Sequence, residues 1–339
     1  MPLIKENISL QPYNTFGIDI KARYFTEVNS EQDLLEIIND PQLKQLPKLI
    51  LGGGSNMLFT KDYNGLVIKN NLRGISIVAE DDAFATVKAA SGETWHHFVL
   101  YCIEKGLGGV ENLSLIPGTV GAAPIQNIGA YGVEIRNVFE NLEAVHISTG
   151  EKILLTLNEC QFGYRESIFK KDYKDKYFIV SVTFKLSKKH TLNTSYGAIQ
   201  KTLEEMQITE PDIVAVSKAV CHIRSSKLPD PAKLGNAGSF FKNPEIPVQQ
   251  YQQLKTIYPE MPGYITTSES VKVPAGWLIE QCGWRGKRVG NTGSHKDQSL
   301  VLVNYGGANG EEVKNLAYEI QRSVKEKFGI EINPEVNIF

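Results

Sequence analysis

"SLIPGTVGAAPIQNIGAYG", residues 114–132, carries no charged side chain. Its glycines are Gly118, Gly121, Gly129 and Gly132, and its alanines are Ala122, Ala123 and Ala130. A surface loop is usually polar, and a core strand or helix has bulk to pack. This stretch has neither, so its main chain is left bare. Glycine tolerates unusual φ and lets peptide planes approach a large flat surface closely. The stretch therefore predicts either a slot for a planar ligand, walled by Pro117-Gly118-Thr119 and by 128–132, or a tightly packed loop cluster.

A second glycine run, Gly52-Gly53-Gly54-Ser55-Asn56, follows the apolar KLIL (48–51). Successive backbone N–H groups turned into one concavity make a nest for an anion such as a pyrophosphate. The run is not a Walker A loop, since no Lys-Ser/Thr follows. Nor is it GxGxxG, because Asn56 and Met57 stand where the third glycine should open a helix. Alone it is equally a plain glycine turn. Beside 114–132 it favours a ring with a diphosphate tail. An isoalloxazine needs main-chain donors and acceptors along one edge, with apolar walls beside it.

The chain of 339 residues is long enough for roughly two or three domains. Charged residues make up 22% and the net charge is −2, so no bulk field draws nucleic acid or an anionic membrane. Phosphate recognition has to be local. MPLIKENISLQPYN has no apolar region after its charges, and no run of about 18 apolar residues occurs, so a cytoplasmic chain without signal peptide or membrane span is expected. Cys102, Cys160, Cys221 and Cys282 are widely spaced and form no CxxC, which fits reduced thiols. The histidines pair only as His96-His97, whose side chains diverge on a helix or a strand, so no metal site is expected.

The first 70 residues read β-α-β-β. RYFTEV (23–28), KLIL (48–51) and LVIK (66–69) are strands, and Ser30 to Asp33 has capping-box spacing before Leu34, Leu35, Ile37 and Ile38. FATVKAA (84–90), LEAVHIS (142–148), KILLTL (152–157) and YFIVSVTFKL (177–186) predict a β-rich region with one helix over 94–104. Thr209-Glu-Pro-Asp212 reads as the cap of a helix through VAVSKAVCHIR, with Pro211 in its first turn. LPDPAKLGNAG marks a boundary after Lys227. A last helix, 311–328, aligns Val313, Leu316, Ala317, Ile320 and Val324 and stops at Gly329, and IEINPEVNIF reads as a returning strand. The mixture is α+β, not one doubly wound sheet.

GGGSN (52–56), SLIPGTVGAAPIQNIGAYGVE (114–134), GYRESIF (163–169), CHIRSSKLPDP (221–231), GNAGSFFKNP (235–244), AGWLIEQCG (275–283) and PEV (334–336) occur in one order. That ordered set resembles the UDP-N-acetylenolpyruvoylglucosamine reductases and runs from Gly52 to Val336. The resemblance implies three domains. Residues 1–70 and 71–225 would form a vanillyl-alcohol-oxidase-type (PCMH-type) fold holding non-covalent FAD. Residues 226–330 would bind substrate, and 331–339 would return as a strand to the active site. It further implies NADPH as reductant and UDP-N-acetylglucosamine enolpyruvate as substrate, giving UDP-N-acetylmuramate for peptidoglycan, with no protein partner.

The FAD positions implied are Gly52, Gly53, Gly54, Ser55, Asn56, Pro117, Gly118, Thr119, Gly121, Ala122, Gln126, Asn127, Gly129, Ala130 and Tyr131. Substrate positions are Tyr196, Lys227, Asn243, Tyr264, Lys272, Arg285 and Gln298. Arg285 stands where the family has Lys, so a planar fork replaces a point charge. Ser195-Tyr196-Gly197 is similar to the longer subclass, in which a tyrosine loop folds over the substrate.

Arg165, Ser239 and Glu335 match the family's catalytic positions. Hydride added to the enolpyruvyl terminal carbon builds charge on the carboxylate and α-carbon. Such a site needs a cation on the carboxylate, a fixed hydrogen-bond donor and a proton source. The Arg165 guanidinium suits the first role, although a lone arginine is more often a surface ion pair. A hydroxyl is a poor acid, so Ser239 serves only if held against the forming enolate; by itself Gly-Ser before two Phe reads as a turn. Glu335 either helps polarise the enol system or is an ordinary tail carboxylate, just as Lys227 and Lys272 alone read as solvated lysines. Two other readings stay open. A flavin oxidase of the same fold would lack the Arg165, Ser239 and Glu335 set, and the His that some use to tether flavin lies in neither glycine stretch. A UDP-sugar-binding module without flavin would purify colourless.

Overall fold

LVIK lies inside Tyr63–Asn70, whose residues 65–68 are buried without a break, the pattern of a parallel strand covered on both faces. It pairs in parallel with Lys21–Val28 on one side and Lys48–Leu51 on the other, and Lys5–Ser9 completes a four-stranded sheet. The computed structural model describes residues 2–339. Two units emerge from it: one takes the chain through Ile8, Lys21–Gly53 and Tyr63–Ser226, the other takes Ser9–Ile20, Gly54–Asp62 and Lys227–Phe339.

The first unit holds two sheets. Glu31–Asn39 follows the expected capping box: the Ser30 hydroxyl accepts from the Asp33 amide, and the Asp33 carboxylate accepts from the Ser30 amide. Leu34, Ile37 and Ile38 pack with Val28, Leu66 and Ile68 into one apolar cluster. The second sheet is antiparallel and five-stranded, in the order Lys152–Thr156, Phe139–His146, Tyr177–Ser187, Phe84–Ala90, Ile75–Glu80. Trp95–Glu104 lays Trp95, Phe98, Val99 and Cys102 into its core, where the Phe98 and Phe184 rings lie 4.6 Å apart. Cys102 and Cys160 are buried free thiols there, and burial pushes the Cys160 thiol up to about 12.

Residues 114–132 run as short turns against the central strands Tyr177–Ser187 and Phe84–Ala90, ending in a hairpin of Gly129–Ala130 and Val133–Glu134. Their main chain is anchored by the amides of Trp95, Val120 and Gly121, which donate to the carbonyls of Gly118, Glu93 and Ser91. Two helices end the unit. Gly197–Glu205 was not foreseen, because only a few apolar residues, Ile199 and Leu203 among them, mark its buried face. Ile213–Lys227 is capped by Asp212, whose carboxylate accepts from the Ala215 amide at 2.7 Å. Thr209 and Pro211 lie outside the helix, so the expected box is one turn too early.

In the second unit Gly235–Ser239, Val301–Asn304, Thr292–Ser294 and Arg288–Val289 form an antiparallel sheet in that order. Gly310–Phe328 packs on it through Val313, Leu316, Ala317, Ile320, Val324 and Phe328. Asn309 caps that helix with Glu312 in a reciprocal box, and Gly329 ends it at φ +65. A smaller sheet of Glu245–Pro247, Ser270–Lys272 and Tyr264–Ile265 carries the helix Val248–Ile257. The tail forms a strand only at Asn337–Ile338, parallel to Met57–Leu58. Asn309→Ala removes a cap worth about 1 kcal/mol and is expected to lower the urea midpoint of unfolding without changing its slope.

Candidate active site

The glycine runs first serve each other. A Cβ on Gly53 would sit 2.9 Å from the Gly118 Cα, and one on Gly52 2.7 Å from the Thr119 Oγ1. Part of the bareness of 114–132 is therefore used for contact between two main chains, not for a ligand. What stays open is the outer side: Gly53 and Pro117 are exposed, and Gly52, Ile116 and Gly118 are half-buried. The Lys69 ammonium donates to the Gly52 carbonyl, and burial lowers its pKa, helped by Arg73 and opposed by Glu27. In the second unit Gly54, at φ +64, would place a Cβ 1.9 Å from the Tyr13 carbonyl oxygen, and Ser55 and Asn56 after it are half-buried. Main chain that admits no side chain, next to an open uncharged edge, is the cradle a flavin dinucleotide needs.

Arg165 sits at the corner of a tight turn in which Gly163 and Glu166 exchange backbone hydrogen bonds of 3.0 and 3.3 Å. Its φ of +55 is in the left-handed region, a strain that persists where the surroundings enforce it. Nη2 donates to the Gly129 carbonyl at 2.8 Å, so the guanidinium is held at the glycine hairpin. Asn127, fully buried at φ +44, donates to Glu134 and to the Gly163 carbonyl and accepts from the Arg136 amide. Its side chain is spent on joining hairpin to turn. Tyr131, at φ +50, meets the exposed Tyr196 edge-on at 5.6 Å between ring centroids. Gln126, Ala122 and Ala130 are half-buried, whereas Thr119 and Gly121 are buried.

Arg224 was missed. It lies in the quoted CHIRSSKLPDP, but nothing in that spacing separates a half-buried arginine from an exposed one. Its Nε donates to the Leu115 carbonyl at 3.2 Å, and its guanidinium is hydrogen-bonded to the Tyr131 hydroxyl. Burial lowers its pKa, Tyr131 opposes that shift and the Arg165 charge adds to it. The first unit thus sets two guanidiniums beside Gly129–Tyr131, an arrangement that favours an anion.

The second unit brings Ser239 and Glu335 together. In Gly235–Ser239, Asn236 pairs with Val303 but Ser239 with Val301, so the strand carries one extra residue across that span. This bulge is made by Gly238 at φ +70, whose amide donates to Asn236 Oδ1 at 2.9 Å. Bulges re-aim the next side chain, here Ser239. The strand then sinks Phe240 and Phe241 into the core. The Phe240 carbonyl accepts from the Glu335 amide at 2.8 Å, and the Lys242 amide donates to the Asn333 carbonyl at 2.9 Å. Glu335 is thereby bonded to Phe240, the residue that follows Ser239. Asn56 joins them, donating from Nδ2 to the Glu335 carbonyl at 3.3 Å.

The expected substrate positions are spread over this second unit and the end of the first. Lys272 is the cross-strand partner of both Glu245 and Tyr264, and its ammonium is 3.6 Å from the Glu245 carboxylate. Tyr264 is exposed. Arg285 donates from Nε to the Lys296 carbonyl at 2.8 Å and pairs with Glu280 at 3.7 Å. Asn243 accepts from the Ala275 amide at 2.9 Å, at the start of Ala275–Gln281, and Gln298 is half-buried. Lys227 ends its helix in solvent. Among the described residues no cluster of His, Cys, Asp or Glu could hold a metal, and no helix is long and apolar enough to cross a membrane.

Residues 22–156 match a family model described as an FAD-binding domain, and 230–339 match the C-terminal domain of UDP-N-acetylenolpyruvoylglucosamine reductase. The solved reductase of that name from Thermus caldophilus aligns over 100% of both chains with a TM-score of 0.69 at 22% identity, and a solvent-stable cholesterol oxidase over 98% of this chain and 87% of its own with 0.51 at 14%. These establish an α+β fold of the vanillyl-alcohol-oxidase (PCMH) type with an FAD-binding domain. Curated UDP-N-acetylenolpyruvoylglucosamine reductases from Flavobacterium johnsoniae and Amoebophilus asiaticus are 53% and 52% identical, each aligned over 99% of both chains. The chain belongs to the UDP-N-acetylenolpyruvoylglucosamine reductase family.

Gly238→Ala meets no atom within 4 Å, so its cost is the left-handed backbone alone, about 1–2 kcal/mol. Differential scanning calorimetry is expected to show that loss, and turnover is expected to fall further than the stability loss explains because Ser239 is re-aimed.

Proposed function

We propose that this protein uses NADPH to reduce the enolpyruvyl group of UDP-N-acetylglucosamine enolpyruvate, giving UDP-N-acetylmuramate in the cytoplasm. FAD, when bound, supplies a carrier that accepts hydride from the nicotinamide and releases it to the enolpyruvyl terminal carbon. The residues for its diphosphate are those of 52–56, and those for its ring lie in 117–119 and 129–131. The observation that carries the reading is the Ser239–Phe240–Glu335 link, in which the Glu335 main chain is bonded to the residue that follows the serine.

The remaining work falls to side chains. Arg165 binds the substrate carboxylate as negative charge builds there, through a fork that can make two charge-assisted bonds. The second positive group, Arg224, favours the same anion and is itself oriented by Tyr131 and the Leu115 carbonyl. Ser239 delivers the proton to the α-carbon, and Glu335 supports the enol system from the neighbouring main chain. Tyr196 closes over the sugar nucleotide, as in the longer subclass. Lys227, Asn243, Tyr264, Lys272, Arg285 and Gln298 hold the uridine diphosphate and sugar.

The test is anaerobic stopped-flow, NADPH first and the enolpyruvyl sugar nucleotide second. Ser239→Ala is expected to leave flavin reduction near normal and to slow reoxidation by the substrate at least about a hundredfold, the scale of positioned acid catalysis. Normal reoxidation removes Ser239 from the mechanism. Arg165→Ala is expected to lower the same step comparably, and a loss confined to half-saturation makes it a binder only. If the two residues act on one substrate, the double variant is slower than the single ones by less than the product of their effects.

A further inference from the structure

Glu335 is held through its main chain on both sides. Its N–H donates to the Phe240 carbonyl at 2.8 Å, and its C=O accepts from Asn56 Nδ2 at 3.3 Å. Asn56 is in turn gripped by Asn337: its carbonyl accepts both the Asn337 amide at 3.2 Å and Asn337 Nδ2 at 3.0 Å. Beyond that point Asn337–Ile338 runs parallel to Met57–Leu58. A continuous path results, from Ser239 through Phe240, Glu335 and Asn56 to Asn337, and every link lies in the second unit.

We propose that Asn56 and Asn337 form a clasp that positions Glu335 against Ser239, making both asparagines positioning residues for proton delivery. This rests on the functional reading above, and it gives Asn56 a second task beside the diphosphate. Asn337 is exposed and fills no core. Its two donors converge on a single carbonyl, which fixes the direction of the Asn56 peptide. That peptide aims the side-chain amide at Glu335. Without the Nδ2 donor the strand pairing survives, but the Asn56 plane is free to tilt. A carboxylate displaced by a fraction of an ångström loses its effect on the reacting group while the fold stays intact.

The experiment compares the unaltered holoenzyme with Asn337→Ala and Asn337→Leu, the second keeping bulk without a donor. Bound flavin, the thermal midpoint and reduction by NADPH are expected to stay within about twofold or a few degrees of the unaltered protein, as for most exposed substitutions. Reoxidation by saturating enolpyruvyl-UDP-N-acetylglucosamine is expected to slow about tenfold in both variants, the scale of one lost hydrogen bond. Combining Asn337→Ala with Asn56→Ala is expected to slow reoxidation per bound flavin no further than Asn56→Ala alone. Unchanged reoxidation, equal slowing of both half-reactions, loss of flavin in the Asn337 variants, or additive effects in the double variant each overturn the clasp. Failure of the unaltered protein to be reoxidised by this substrate overturns the functional reading itself, so the two failures are separable.

Discussion

Two lengths of main chain in the first unit, around Gly53 and around Gly118, touch with no side chain between them. Everything nearby is arranged to keep that contact. The Lys69 ammonium holds the Gly52 carbonyl, and hydrogen bonds with Ser91, Glu93 and Trp95 tie the second length to the chain that follows Phe84–Ala90. Any methyl group at the contact would separate the chains. An uncharged, almost side-chain-free segment is thus what the packing demands, and the open outer edge beside it is what a flavin cofactor can use.

The second unit solves a related problem with a bulge. Ser239 would point with the strand's regular alternation if the ladder ran on unbroken. Gly238 inserts a residue at a φ that side chains resist, and the alternation is reset just before two phenylalanines lock the strand into the core. The tail is then laid along Phe240–Lys242 by main-chain hydrogen bonds, which brings Glu335 from far along the chain to the residue after the serine. Main chain does the placing in both units; side chains are left for chemistry.

Charge is handled sparingly. The net charge is −2, yet Arg165 and Arg224 share one corner of the first unit, where Arg224 is drawn below its ordinary pKa by burial. Neither position is cheap: Arg165 holds left-handed backbone and Arg224 gives up hydration. Such costs persist where an anion offsets them. Elsewhere the same chain caps and pairs its exposed charges in the usual way, as at Asn309–Glu312 and Lys188–Glu80.

Local signals carried well when the physics was local. The strands around LVIK and FATVKAA, the Ser30 box and the helix ending at Gly329 follow from apolar period and caps, which need only a few neighbouring residues. The helix at Gly197–Glu205 was lost because few apolar residues mark it, and the cap at Asp212 because Thr209 offers a second cap three residues earlier. Ordered motifs marked the family and its candidate residues. They did not disclose that Gly53 is bare for the sake of Gly118, that Asn127 is consumed inside its hairpin, or that Asn56 reaches Glu335. Those facts join residues tens to hundreds of positions apart. Sequence by itself set the elements, the family and the kinds of side chain available, because these depend on short-range pattern. Which backbone meets which, and hence where each functional group is held, was decided only by the folded chain, since long-range main-chain contacts leave no periodic trace in the sequence.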